Sequence, residues 1–358
     1  MINIDGSKGE GGGQVLRTAL SLSAWLGKPF RITRIRAGRP QPGLKAQHLT
    51  SVRAVAQVCG ATVEGAEGGS RTLTFTPGAI RPGNYDEEVG TAGATTLVAQ
   101  AAALPLLRAN GVSLLRIRGG THVAWSPPLD YLRSVYAPVL ALLGLQLRPR
   151  LLRYGFYPRG GGQIGIEVTG QAAGSSAGSP APQAKPLRLK RPSRKQIRIE
   201  TTAVVCSLPG NIAERMVKMV ARRLKARNWP TETRIVEKRG STGTYVFIRV
   251  FSDTRLNAGG DSLIAGGFTG LAESGKRADK VSLQTADQAL AFLESDACLD
   301  LHLADQLLLP AVLSGTALTF TTDRITRHLR TNAETISRFL GPCVETTKSG
   351  KVTVRRST

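Results

Sequence analysis

The feature that most constrains this chain is the recurrence of one theme, an amphipathic helix followed by an alternating strand. Residues 14–26 place Val15, Leu16, Ala19, Leu20, Leu22 and Leu26 at helical spacing, and FRITRIR (30–36) then alternates apolar and polar like a strand. The same reading predicts helices over 45–59, 94–108 and 128–143, with strands at 71–76 (RTLTFT) and 112–118 (VSLLRIR). It resumes near the end with helices over 285–295, 300–313 and about 332–340, a strand at 316–321 (TALTFT) and another at 351–355. Helices and strands alternating at this spacing bury their apolar faces by layering helices on a sheet, so the fold class expected is α/β (α+β), built from repeated units of similar size.

The theme is interrupted. Residues 171–184 (QAAGSSAGSPAPQA) are too poor in large apolar side chains to pack and read as a linker. From Lys185 to Arg198 there are seven Lys or Arg residues, a run suited to phosphate contact but equally to a solvated boundary. From about Ile197 to Phe268 a strand, a helix (211–227) and strands near 233–238 and 244–251 read as a compact α+β module, closed by a loop around GGFTGLAESGKR. The expected organisation is a large domain over 1–184 and 281–358 with a smaller domain inserted at 185–280.

Charge narrows the partner. Against 25 Asp and Glu stand 48 Lys and Arg, a net charge of +23, which favours a polyanion and makes nucleic acid the leading partner class. Charge alone is also compatible with a chain that is merely kept in solution. The start, MINIDGSKGEGGGQ, lacks the basic, apolar and small-residue succession of a signal peptide, and no apolar run reaches spanning length. A soluble, cytoplasmic protein with no membrane partner is therefore expected. Cys59, Cys206, Cys298 and Cys343 are widely spaced, with no CxxC pair, and read as reduced, buried small hydrophobes.

Some segments carry chemistry. GEGGGQVLR (9–17) puts glycines, an acid and an amide directly before a helix, where free backbone N–H groups and the helix dipole hold anions. It has neither the Rossmann nor the Walker spacing, and a plain tight turn would look the same. RAGRPQPGLKAQH (36–48) spreads Arg36, Arg39 and Lys45 over a Pro/Gly-stiffened loop entering a helix with Gln47 and His48, and rigid guanidinium groups suit phosphate. Of the four histidines, His328 in RITRHLRTN lies between a strand and a helix whose expected cap is Thr331 or Asn332, a place suited to an exposed nucleophile. His302 opens HLADQLLLP, whose Asp305 is suited to holding a metal or a ribose. Read from residues alone, the chain is a basic α/β protein with anion-binding loops and a candidate histidine, and no reaction follows.

Taken together and in order, DGSKGEGGGQVLRTALSLS, RAGRPQPGLKAQHL, GTAGATTLVAQ, GGTHVAWSPPLDY, GFYPRGGG, HLADQLLLP and HLRTN resemble the RNA 3′-terminal phosphate cyclase family from residue 1 to the C-terminus. The resemblance implies a large domain of three repeated α/β units, related in architecture to enolpyruvyl transferases, with a smaller α+β insertion. It implies that ATP and an RNA with a 3′-terminal phosphate are the substrates. A histidine attacks the ATP α-phosphate and releases pyrophosphate. AMP then passes to the RNA 3′-phosphate, and the 2′-OH displaces it to leave a 2′,3′-cyclic phosphate.

Carried over by position, His328 matches the adenylylated histidine, a competent nucleophile when neutral. Gln100 and the stretch His302, Leu303, Ala304, Asp305 and Gln306 match the adenylate pocket, with His302, where relatives often have tyrosine, expected to stack on adenine. Glu10 resembles the acid that helps hold a divalent cation, Mg²⁺ or Mn²⁺, on the triphosphate, and Arg17, Arg36, Arg39 and Gln47 resemble phosphate contacts. The nearest rival is a non-catalytic, cyclase-like rRNA processing factor, against which His328 argues. A small-molecule enolpyruvyl transferase is disfavoured by the +23 charge, and a plain RNA-binding module would have no use for an ATP site. A homo-oligomer stays open.

Overall fold

A computed structural model describes residues 1–170, 185–252, 262–272 and 277–355. The linker expected at 171–184 lies outside the described residues.

The first unit runs β1 (Ile2–Asp5), α1 (Gly13–Leu26), β2 (Phe30–Thr33), α2 (Ala46–Cys59), β3 (Thr62–Glu64) and β4 (Leu73–Thr76). Its sheet has the order β1-β2-β4-β3, with β1 parallel to β2 and the other pairs antiparallel. The second unit repeats this with β5 (Asn84–Glu88), α3 (Thr95–Leu106) and β6 (Val112–Gly119). A helix α4 follows, formed by Leu129–Tyr131, a π turn Leu132–Tyr136 and Ala137–Leu142, and then β7 (Gln146–Arg153) and β8 (Gly162–Thr169). The order is again β5-β6-β8-β7, with only the first pair parallel.

A third unit opens with β9 (Leu187–Arg188) and breaks off for an inserted module of β10 (Ile197–Cys206), α5 (Asn211–Lys225), β11 (Glu232–Lys238), β12 (Gly243–Ser252), β13 (Ala265–Leu271) and α6 (Ala278–Glu294). The unit then resumes with α7 (Leu301–Gln306), α8 (Leu308–Leu313), β14 (Leu318–Thr321), α9 (Arg327–Leu340), β15 (Val344–Thr346) and β16 (Lys351–Val354). Its sheet, β15-β16-β14-β9, has the same topology, since β9 and β14 are parallel and the rest antiparallel. The expected repeat is therefore present three times, with the insertion placed between the first strand of the last unit and its first helix.

The elements depart from the sequence expectation in ways with physical causes. The basic segment assigned to the insertion from residue 185 contributes β9 to the last sheet instead. The helix expected at 285–295 starts at Ala278 and packs on α5 and β13, so its Ala286, Leu290 and Leu293 join Val220 and Ile248 in the module's own core. The loop expected around GGFTGL is strand β13. Its glycines are there because neighbours come close, since an added Cβ would fall 2.5 Å from Tyr131 at Gly267 and 2.2 Å from the Thr285 hydroxyl at Gly270. The run 300–313 breaks at Leu307, and α9 begins at Arg327, capped by Thr326 rather than by Thr331 or Asn332. All four cysteines are free and buried. Among the described residues no helix is long and apolar enough to cross a membrane.

Gly267 joins the module to the rest, because it lies against Tyr131 of α4 and donates its N–H to Asp300. Gly267→Val is expected to lower the unfolding free energy by about 1–3 kcal/mol through overpacking. Urea denaturation would show this as a lower midpoint, and an unchanged midpoint would mean that Tyr131 yields freely.

Candidate active site

The N-terminal ends of α1, α2 and α9 meet at one place. At the start of α1, an added Cβ on Gly13 would sit 2.4 Å from His48 Nε2, so glycine lets the first turn of α2 approach. From α9, His328 Nδ1 lies 2.9 Å from Gln14 Oε1 and 3.2 Å from Glu10 Oε2. Converging helix starts direct N–H groups and positive dipole ends at a common point, an arrangement that binds anions. The loop before α1 is held by Glu10, whose backbone N–H donates to Thr331 Oγ1 of α9 (2.9 Å). Gly9 makes that approach with φ of 61°, where a side chain would also strike the Thr331 hydroxyl.

Two of the expected arginines reach this cluster. Arg39 forms an ion pair with Glu10, whose side chain is only 11% exposed. Arg17, half-buried one helical turn beyond Gln14, has its pKa pulled down to about 10 by burial, against the opposing charge of Asp305, and it remains a cation at neutral pH. Arg36 and Gln47 are engaged otherwise. Arg36 Nη1 donates to the carbonyls of Gln41 (2.9 Å) and Gly43 (2.8 Å), and Gln47 Oε1 accepts from the Ala94 N–H (3.0 Å). These bonds shape the loops around the site.

His328 is half-exposed, with 49% of its side chain accessible. Burial, then the proximity of His302, Arg39 and Arg17, holds its pKa below the ordinary imidazole value, so it is neutral at pH 7. Both atoms facing Nδ1 are acceptors. Nδ1 therefore carries the proton and Nε2 keeps its lone pair. His48 is neutral as well, pushed down to about 3 by burial and by the charges of Arg17 and Arg36.

The HLADQ stretch divides. Gln306 Oε1 accepts from Gln100 Nε2 (2.7 Å), which brings those two expected residues together, and His302 is exposed on the same short helix. Leu303 and Ala304, expected in the adenylate pocket, are 0% exposed and belong to the hydrophobic core. A helix that presents His302 and Gln306 to one side must bury the residues between them. Asp305 is buried too, and burial together with the charge of Asp300 raises its carboxyl pKa to about 8 despite Arg17.

Several residues have a part that the sequence did not assign to them. Asn332 bonds Thr18 (2.8 Å) and the Asp305 carbonyl (2.8 Å), tying α9 to α1 and α7. Asp300 caps α7 through the N–H groups of His302 and Leu303, and also accepts from Gly267 N–H and the Tyr131 hydroxyl. The signal for Gln14, Thr331 and Asn332 was only their place inside GGGQVLR and HLRTN. Nothing local shows that those two segments face each other.

A glycine-rich helix start, two arginines, a half-buried carboxylate and a neutral histidine thus come together on a three-unit α/β scaffold. Residues 8–346 match the family model described as RNA 3′-terminal phosphate cyclase. The chain is 40% identical over 357 residues to the RNA 3′-terminal phosphate cyclase of Ectopseudomonas mendocina, covering 99% of this chain and 97% of that one. It is 42% identical over 342 residues to that of Koribacter versatilis (95% and 90% covered) and 37% over 350 residues to that of Archaeoglobus fulgidus (96% and 97%). The chain belongs to the RNA 3′-terminal phosphate cyclase family.

Asp305 has a consequence for stability. A carboxyl whose folded pKa is raised binds its proton more tightly in the folded state, so its contribution is full below the ordinary value of 3.8 and is lost as pH rises toward about 8. Asp305→Asn removes that titration. The variant's thermal midpoint should fall less than the wild type's between about pH 4 and pH 8, and parallel profiles for the two proteins would contradict the shift.

Proposed function

We propose that this chain is an ATP-dependent RNA 3′-phosphate cyclase working through a covalent adenylate on His328. The observation that carries this reading is the state of His328: neutral, half-exposed, with Nδ1–H directed at Gln14 and Glu10 and the Nε2 lone pair free. That lone pair attacks the α-phosphorus of ATP, a P–N bond forms as the P–O bond to pyrophosphate breaks, and the charge that develops on the imidazole is met at Nδ1 by Glu10.

An oxygen of the RNA 3′-phosphate next attacks the same phosphorus and His328 leaves as neutral imidazole. The resulting RNA–AMP mixed anhydride carries AMP as leaving group. The adjacent 2′-OH attacks the terminal phosphorus, loses its proton and expels AMP, so the ring closes with the help of proximity. A ribose lacking this hydroxyl cannot complete the last step.

Arg39 and Arg17, which lie beside Glu10 and one turn beyond Gln14, are the cations that would meet the triphosphate, and the uncapped start of α1 would add backbone donors. For a divalent cation, Mg²⁺ or Mn²⁺, the donor chemistry fits Glu10. Such an ion binds through one or two carboxylates with the rest of its shell from phosphates and water, so a lone carboxylate suits an ion arriving with the nucleotide. When bound, it would neutralise charge on the departing pyrophosphate. His302, exposed near Gln306 and Gln100, offers a ring for adenine.

The test is incubation with α-labelled ATP and a divalent cation, followed by a denaturing gel. A covalent, acid-labile label is expected on the wild type and none on His328→Ala. An unlabelled but folded wild type would favour the non-catalytic processing factor. The pH profile gives a second check. Because the neutral imidazole reacts and its pKa is lowered, label formation should be flat down to neutral pH and half-maximal below 6.5. A half-maximal point above that value would mean that another group limits the step.

A further inference from the structure

Two aromatic side chains stand in solvent where the fold has no use for them. Trp125 is 99% exposed and Tyr157 79% exposed, although rings of this size gain most by being covered. Trp125 also holds φ at 63°, a region that a bulky residue occupies only where its surroundings impose it, and such positions collect at ligand clamps.

The loops carrying them leave one point. The N–H groups of Thr121 and His122 both donate to the Gly155 carbonyl, and His122 and Phe156 form a parallel bridge. Trp125 and Tyr157 follow that bridge by three residues and one, so chain reach keeps their Cα atoms within about 20 Å. Underneath, the His122 ring packs on Tyr154, Phe156 and Tyr245, a firm base for exposed loops.

Both loops also border the site already described. Thr96 of α3 donates to the Pro127 carbonyl (2.7 Å), one helical turn before Gln100, which holds Gln306. On the other side Gly160 packs on Thr91 and Ala92, and the neighbouring Ala94 is bonded to Gln47, next to His48. The stretches that carry these rings, GTHVAWSPPL (120–129) and YGFYPRGGG (154–162), contain no Asp or Glu, the half-buried Asp130 that follows the first is bound by Arg133 and Tyr245, and the second carries the exposed Arg159.

We propose that Trp125 and Tyr157, with Arg159 beside them, form the stacking platform for the nucleotides that precede the 3′-phosphate of a bound RNA strand. This rests on the cyclase reading for the identity of the terminus. Stacking on a ring is indifferent to base identity, as suits an enzyme that acts on an end rather than on a sequence. The exposed Arg159, on a chain of net charge +23, accepts the accompanying phosphates.

The experiment measures the affinity of the full chain for a 3′-phosphorylated oligoribonucleotide by fluorescence anisotropy at fixed salt. The variants are Trp125→Gly, which removes the ring and suits the positive φ, Tyr157→Ala, and the conservative Trp125→Phe and Tyr157→Phe. Each ring removal should weaken binding at least about fivefold and each Phe variant should stay near wild type. Label formation from ATP, its KM and the sedimentation coefficient are expected to be unchanged. Unchanged RNA affinity with an intact circular dichroism spectrum overturns the proposal. So does a raised KM for ATP with unaltered RNA binding, or dissociation of an oligomer, which would assign the rings to adenine or to a second copy. A wild type that binds RNA through these rings but takes no label would remove the cyclase reading and leave the platform. A wild type that takes the label while its RNA affinity ignores both ring removals would do the reverse.

Discussion

Everything at the site depends on the joint between the first unit and the last. Thr331 accepts the Glu10 N–H, and Asn332 bridges Thr18 to the Asp305 carbonyl, so α9 is fastened to the start of α1 along its first turns. Without that joint His328 would ride on one unit while Gln14, Glu10, Arg17 and Arg39 rode on another. The bonds are buried or half-buried, and each satisfies a polar group that would otherwise be stranded beside the core. The joint that fastens the last unit to the first thereby holds His328 Nδ1 against Gln14 and Glu10, the two acceptors that set its tautomer.

A second constraint lies just behind. Asp300, the cap of α7, and Asp305 within it are both buried, and like charges placed together cannot both ionise cheaply. Asp300 is supplied with donors from three directions: its own helix start, the inserted module at Gly267 and α4 at Tyr131. Asp305 faces Arg17 and holds its proton to higher pH. The insertion thus reaches the site through the cap of the helix that presents His302 and Gln306, by a backbone N–H rather than a side chain among the described residues.

Long amphipathic helices such as α1, α2 and α5 were legible from spacing, as were strands with clean alternation such as β4 and β14. Short or polar strands were not. β3 has three residues, β5 reads NYDEE, and β7 carries Pro149 and three arginines, so pairing rather than pattern defines them. β13 was hidden by its glycines, whose reason is the approach of Tyr131 and Thr285 from remote parts of the chain. At the site, residue types and the helix start could be read locally. That Gln14 faces His328 across 314 positions, or that Arg36 spends its donors on carbonyls, is decided only by tertiary packing.

The repeated topology raises a question of its own, since three similar units supply several helix starts and only some gather ligand-binding groups. Caps give part of a physical answer, because α2 and α3 also begin without a side-chain cap bond. α7 is capped by Asp300 and α9 by Thr326, so side chains consume their first N–H groups. α1 begins at Gly12 and Gly13 with no side-chain cap, in a loop whose glycines admit Glu10, Arg39 and His48 at close range. An uncapped helix start leaves donors unsatisfied and favours an anion that can satisfy them. What sets α1 apart from the other uncapped starts is its glycine loop and the joint that brings His328 alongside.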